Sequence, residues 1–172
     1  MYMAFSGTEP IRRVLIANRG EIARRIIRTC RRMGIFTIAV YSDPDRHSPF
    51  VREADEAYAL GGATPNETYL NIEKLLAIAD RALADAIHPG YGFLSEDAEF
   101  ARAVWARSAE RQARGLPPLR FIGPNPEAIA LMGSKSAAKA LMDKVGLPTV
   151  PGFFEPGATL ERMRSAAEEL GY

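Results

Sequence analysis

Tyr91 stands between two glycines in the run His88-Pro89-Gly90-Tyr91-Gly92-Phe93-Leu94. Glycines on both sides let the backbone approach another group closely, and the tyrosine offers a hydroxyl beside it. His88, taken alone, reads as a structural histidine rather than an acid or base. Lys135 follows Gly133-Ser134, and an ammonium beside a glycine turn can be set against phosphate oxygens, a use for which its compact, flexible charge is suited. Gly-Ser-Lys is a weak pattern by itself. Asn18-Arg19-Gly20 interrupts an apolar run at its junction with a helical pattern. A dinucleotide fingerprint would need three glycines at fixed offsets, and only Gly20 is present.

The elements that must position these residues alternate. Val14-Leu15-Ile16-Ala17 is a short apolar run rich in branched side chains, too short for a helix, and reads as a strand buried on both faces. A helix follows at once: Ile22, Ala23, Ile26, Ile27, Cys30 and Met33 fall on one stripe, Arg24, Arg28, Arg31 and Arg32 fall off it, and Gly34 supplies the left-handed stop. Further strands are expected over 36–41, 57–60, 85–88 and 119–122. Ser48 with Pro49 opens a short helix, Ile72 to Leu83 mark another, and Ser95 is the expected N-cap of a third, with Glu96 and Asp97 in its first turn. The fold class is therefore α/β, a doubly wound and mostly parallel sheet.

In such a sheet the turns after the strands gather on one edge, where a ligand or partner domain sits. Ser42-Asp43 and Gly61-Gly62 read as plain chain turns. Beyond Ser134 the chain changes character: two helical segments, 136–145 and 159–170, flank a Pro/Gly-rich stretch over 151–157, so a boundary is expected near there.

Composition narrows the class. In 172 residues, 47% hydrophobic and 25% charged content with a formal net charge of +1 describe a globular domain and argue against a general nucleic-acid binder. No apolar run approaches the roughly 18 residues of a membrane span, and Met1 to Pro10 carry neither a signal core nor a transit pattern. A single cysteine excludes a disulfide framework and suits a reducing compartment, so the cytoplasm is the expected location.

Three stretches carry a family resemblance. Ile16-Ala17-Asn18-Arg19-Gly20-Glu21-Ile22-Ala23, the unbroken run His88 to Glu96, and Met132-Gly133-Ser134-Lys135 resemble the biotin carboxylase component of biotin-dependent carboxylases. The resemblance implies a Rossmann-like pre-ATP-grasp domain over 11–133, then the start of an ATP-grasp domain over 134–172. It also implies that Tyr91, Gly92, Glu96 and His88 line a cleft, and that Lys135 binds ATP. Ser134 replaces the family's usual acid at that position. The segment 107–118 is longer than the resemblance leads one to expect.

The implied activity is ATP-dependent carboxylation of biotin with bicarbonate, using magnesium or manganese and biotin on a carrier domain. Partners would be that carrier domain, a carboxyltransferase and a second copy of the chain, with the first helix contributing to dimer packing. The family's metal-binding and catalytic groups are expected beyond Tyr172, so residues 1–172 alone are expected to be inactive. Two other readings stay open: a free-standing nucleotide-binding domain, which the missing glycines disfavour, and a structural module without chemistry.

Overall fold

A computed structural model describes residues 10–153, 155 and 157–172, with Lys135 described in its backbone alone. The chain divides into two compact units, the first ending at Pro126 and the second running from Glu127 to Tyr172.

In the first unit, β1 (Arg13–Ile16), β2 (Phe36–Tyr41), β3 (Glu56–Ala59), β4 (Ala86–His88) and β5 (Arg120–Phe121) form a five-stranded sheet in the order β3-β2-β1-β4-β5. Every adjacent pair is parallel, with Val14 facing Thr37 on one side and Ala86 on the other. The crossovers are α1 (Gly20–Arg32), α2 (Pro49–Glu53), α3 (Ile72–Arg81) and α4 (Ala98–Ala113).

Side-chain alternation within the apolar runs divides the core in two. Val14, Ile16, Ala39 and Ala86 pack with Ala23, Ile26, Ile27 and Cys30 of α1 and Phe50 of α2 on one face. Leu15, Ile38, Val40 and Ile87 pack with Leu75 and Leu76 of α3 and Phe100 and Val104 of α4 on the other. The sheet is thus doubly wound. Chain direction across the sheet reverses between β1 and β4, which makes their carboxyl ends the switch point.

Local details amend the expectations. Ser95 does not cap α4: Asp97 does, accepting the amides of Glu99 and Phe100. Leu94 is buried in the core beneath this turn, so the chain has to come off the sheet before the helix can begin. Glu96 consequently lies in the preceding turn, not in the helix. Ser48 precedes Pro49 at the start of α2 as expected, but makes no side-chain cap bond. Within the charged run 107–114, Arg111 is buried, only 7% exposed.

The second unit holds α5 (Pro126–Gly133), α6 (Lys135–Lys144) and α7 (Leu160–Leu170), of which Pro126 itself belongs to the first unit. Ser134 caps α6 by accepting the Ala137 amide at 3.3 Å, and Thr159 caps α7 through the Arg162 amide. Gly171 ends α7 at φ +90°. Lys139 donates to the carbonyls of Val150 and Gly152, which ties the Pro/Gly-rich stretch to α6.

Candidate functional site

The switch point is built by two turns that lock into each other. Leaving β1, Asn18 is 2% exposed. Its Nδ2 donates to the Pro89 carbonyl and to the Tyr91 carbonyl, both at 2.8 Å, while its Oδ1 accepts the Arg19 amide at 2.9 Å. The Ala17 amide extends the β1–β4 ladder by donating to the His88 carbonyl at 2.9 Å. Gly90, at φ +70°, is required by this closeness: a Cβ there would lie 2.7 Å from both Asn18 Nδ2 and Ile22 Cγ2.

His88 ends β4 half-buried, its Nδ1 accepting the Gly90 amide at 3.0 Å. Burial, with Arg25 nearby, lowers its pKa from the ordinary histidine value, so the ring is neutral near pH 7 and carries its proton on Nε2.

Around this clamp the loop presents its polar groups to solvent. Tyr91 is 69% exposed although its carbonyl is anchored. Gly92 follows at φ +67° and Glu96 is exposed five residues after Tyr91. Three of the expected residues, Tyr91, Gly92 and Glu96, therefore share one loop at the carboxyl edge of the sheet, with His88 at its base. Lys135 is the first residue of α6 in the second unit, and its side chain lies outside the described residues.

A second cluster at the same edge was not legible in the sequence. Asp45 accepts from Ser42 Oγ at 2.9 Å, Tyr69 Oη at 2.6 Å and Arg19 at 3.2 Å. Burial alone would raise the Asp45 carboxyl, but the hydrogen bonds from Tyr69, Ser42 and Arg19 outweigh it and hold the carboxyl below its usual value. Burial and the bond to Asp45 push the Tyr69 hydroxyl up to about 12. The Tyr69 ring stacks on Phe93 with centroids 5.2 Å apart, and the Arg19 guanidinium lies within 6.0 Å of both rings. Phe93 adopts φ +45°, a conformation disfavoured for a bulky side chain. Its stacking against Tyr69 and the core holds it there. Phe93, Arg19 and Asp45 thus join the turns after β4, β1 and β2 into one rigid rim. The polar run after β2 was the one available signal, and it gave no hint of Tyr69 as a partner.

The Ser42-Asp43 and Gly61-Gly62 turns are knitted to each other: the Asp43 amide donates to the Gly62 carbonyl, and the Gly62 amide to the Asp43 carboxylate. On α1, Arg24, one turn from Arg28, makes a paired contact to the Glu53 carboxylate of α2. Among the described residues no group of three or more His, Cys, Asp or Glu side chains could hold a metal ion. No helix among them is long and apolar enough to cross a membrane.

Comparison with known proteins gives this arrangement a family. Residues 10–129 match the biotin carboxylase N-terminal domain. Biotin carboxylase 2 of Bacillus subtilis (strain 168) is 48% identical over 160 residues, which cover 93% of this chain and 34% of that protein. Among solved structures, the biotin carboxylase domain of a single-chain bacterial carboxylase superposes with a TM-score of 0.80 at 42% identity, over 93% of this chain and 34% of the other. The biotin carboxylase domain dimer of Hydrogenobacter thermophilus 2-oxoglutarate carboxylase, solved with MgADP, ADP and bicarbonate, matches with a TM-score of 0.79 at 42% identity, over 95% and 34% of the two chains. The chain spans about a third of the length of these relatives. It belongs to the biotin carboxylase family and carries that family's N-terminal domain.

Proposed function

We propose that the chain is the amino-terminal part of an enzyme that uses ATP to activate bicarbonate and carboxylates biotin held on a carrier domain. The observation that carries this reading is the Asn18 clamp. A buried amide, fully engaged, fixes the loop that presents Tyr91, Gly92 and Glu96 at the switch point of the sheet, where α/β proteins bind ligands.

In this reading Tyr91, Gly92 and Glu96 line one wall of the cleft and position what enters it. His88 supports the loop from below, because its Nδ1 is already engaged by Gly90. Lys135, at the start of α6, meets the ATP phosphates. The ATP would arrive with magnesium or manganese, which would neutralise phosphate charge. The described residues offer no ligand set for such an ion. What this domain contributes is positioning and electrostatics.

Partners in the same reading are a biotin carboxyl carrier domain, a carboxyltransferase and a second copy of the chain. Arg28 on α1 is available to that copy, whereas Arg24 is engaged by Glu53. The unpaired Cys30 suits a reducing compartment, and we assign the protein to the cytoplasm.

The test is steady-state ADP release by the full natural protein. Release should depend on both bicarbonate and biotin. Lys135→Gln should raise the KM for ATP by about one to two powers of ten, as losing a charge-assisted phosphate contact of roughly 1.5–3 kcal/mol requires, with a smaller change in kcat. Lys144→Gln, an exposed lysine of the same helix, is the control. ADP release indifferent to biotin would overturn the activity, and equal shifts in both variants would overturn the role of Lys135. By the same reading, residues 1–172 alone release no biotin-dependent ADP.

A further inference from the structure

At the edge of the sheet opposite the Asn18 clamp, where β1, β4 and β5 begin, the first unit contains a cavity of about 640 Å³. That volume suits a small organic ligand. Its walls come from the starts of these strands, the ends of α3 and α4, and the turn 115–118, so half of the long 107–118 segment lines it.

The charge lining the cavity is unbalanced. Five arginines face it against three carboxylates, Asp80, Asp85 and Glu110, and the acids are already used. Asp80 is shared by Arg107 and Arg111, and Glu110 pairs with Arg107. Asp85 spends both oxygens on the backbone amides of Arg12 and Arg13, pinning the start of β1 to β4. The carbonyls at the end of α3, which would otherwise attract cations, and in the turn after it are taken as well: Arg111 donates to Ala79 and Ala84, and Arg13 to Ala82. No hydrogen bond or ion pair reaches the guanidinium of Arg12 or of Arg114 among the described residues. Beside these two cations stand Leu83 and Leu116, 75% and 46% exposed, and Pro117. Leu83 sits at φ +52°, a conformation that costs energy for a leucine and here leaves its side chain in the open.

We infer that this cavity binds a small organic anion, a phosphate or carboxylate on an apolar body, with Arg12 and Arg114 holding the charge and Leu83, Leu116 and Pro117 the body. Guanidinium pairs two parallel N–H groups with either headgroup. An apolar body beside it would cover leucine surface that water now meets. The inference stands independently of the proposed carboxylase chemistry, since it uses the opposite edge of the sheet.

The test is calorimetric titration of the full natural protein with phenyl phosphate and with benzoate, which separate the two headgroups. Inorganic phosphate supplies a headgroup without the body. One of the two aryl anions should saturate a site, binding about tenfold tighter than inorganic phosphate. The double variant Arg12→Gln, Arg114→Gln should weaken it at least about tenfold, and neither replacement breaks a bond that the fold uses. Leu116→Ser should weaken the aryl anion and leave inorganic phosphate unchanged. Lys135→Gln and Arg52→Gln should leave the titration unaltered, which separates this cavity from an ATP site and from general surface charge. The absence of saturation by either aryl anion, or saturation that survives the double arginine variant while its thermal unfolding stays normal, overturns the inference.

Discussion

Asn18 donates to the Tyr91 carbonyl at 2.8 Å across 73 residues of sequence, and to Pro89 at the same distance. Removing this amide would strand two carbonyls in a site where Asn18 itself is 2% exposed. An unsatisfied buried group costs about 1–3 kcal/mol, so Asn18→Ala should destabilise the first unit by about 2–4 kcal/mol in urea unfolding. Asn18→Asp should cost more, because a carboxylate oxygen would then face those carbonyls. A loss below about 0.5 kcal/mol for Asn18→Ala would mean that the clamp is dispensable.

Gly90 and Gly20 both have positive φ, at +70° and +57°, but only Gly90 is crowded. An alanine at Gly20 would meet nothing within 4 Å, whereas at Gly90 its Cβ would press on Asn18 and Ile22 at 2.7 Å. Gly20→Ala should therefore cost only the left-handed backbone penalty of about 1–2 kcal/mol. Gly90→Ala should cost about 1–3 kcal/mol beyond that, since the neighbour is held by three hydrogen bonds and cannot step aside. Equal melting temperatures for the two variants would contradict the close approach.

Stability should respond to pH at both extremes through one pair. The Asp45 carboxyl is lower in the folded state than its ordinary value of 3.8, so its contribution is present above that value and lost as pH falls through the folded one. Tyr69 is raised from 10.0 to about 12, so its contribution is present below pH 10 and lost as pH rises toward 12. The alkaline loss amounts to about 2–3 kcal/mol at most. Tyr69→Phe should flatten the alkaline limb of a stability-versus-pH curve, and Asp45→Asn the acid limb. An alkaline limb of unchanged slope in Tyr69→Phe would assign that transition elsewhere.

His88 gives a third pH signature. Its folded pKa lies below the ordinary histidine value of 6.5, first through burial and then through Arg25. The unfolded chain takes up the proton more readily, so this contribution to stability is present above 6.5 and lost as pH falls through the folded value. Nuclear magnetic resonance of the His88 ring should place its titration midpoint under 6.5. A midpoint at or above 6.5 would mean that the buried, Gly90-bonded tautomer is not the solution state.

Legibility followed the range of the interactions. β2 spans Phe36–Tyr41 as its apolar run predicts, because a strand buried on both faces is specified by its own composition between Gly34 and Ser42. The split of Leu15 and Ile16 onto opposite faces follows from strand alternation in the same way. The start of α4 is ambiguous in the sequence because Ser95 and Asp97 are both capable caps, and only the burial of Leu94 decides between them. At the site, the loop 89–97 could be picked out by its glycines and tyrosine. The groups that hold it could not: Asn18 and Tyr91 are 73 residues apart, Tyr69 and Asp45 are 24 apart, and no local pattern couples such pairs.

Arg111 is the plainest case of a role hidden by its neighbours in sequence, and it supports a direct test. In the run 107–114 it is one of three arginines, yet it alone is buried, and its guanidinium meets three acceptors: Asp80 at 2.7 Å, the Ala84 carbonyl at 2.7 Å and the Ala79 carbonyl at 3.1 Å. Together these fasten α4 to the last turn of α3 and to the turn between α3 and β4. Removing one partner of a buried pair costs about 3–5 kcal/mol when the other is left uncompensated. Asp80 keeps Arg107, so Arg111→Met should cost less, about 2–4 kcal/mol in equilibrium unfolding. Arg111→Lys should recover only part of the loss, because one ammonium cannot reach three acceptors fixed by a planar fork. Asp80→Asn should cost less in the Arg111→Met background than in the native chain, by about 1 kcal/mol or more. Strictly additive effects would mean that Asp80 and Arg111 act independently, and the fastening would then rest on the two carbonyl contacts alone.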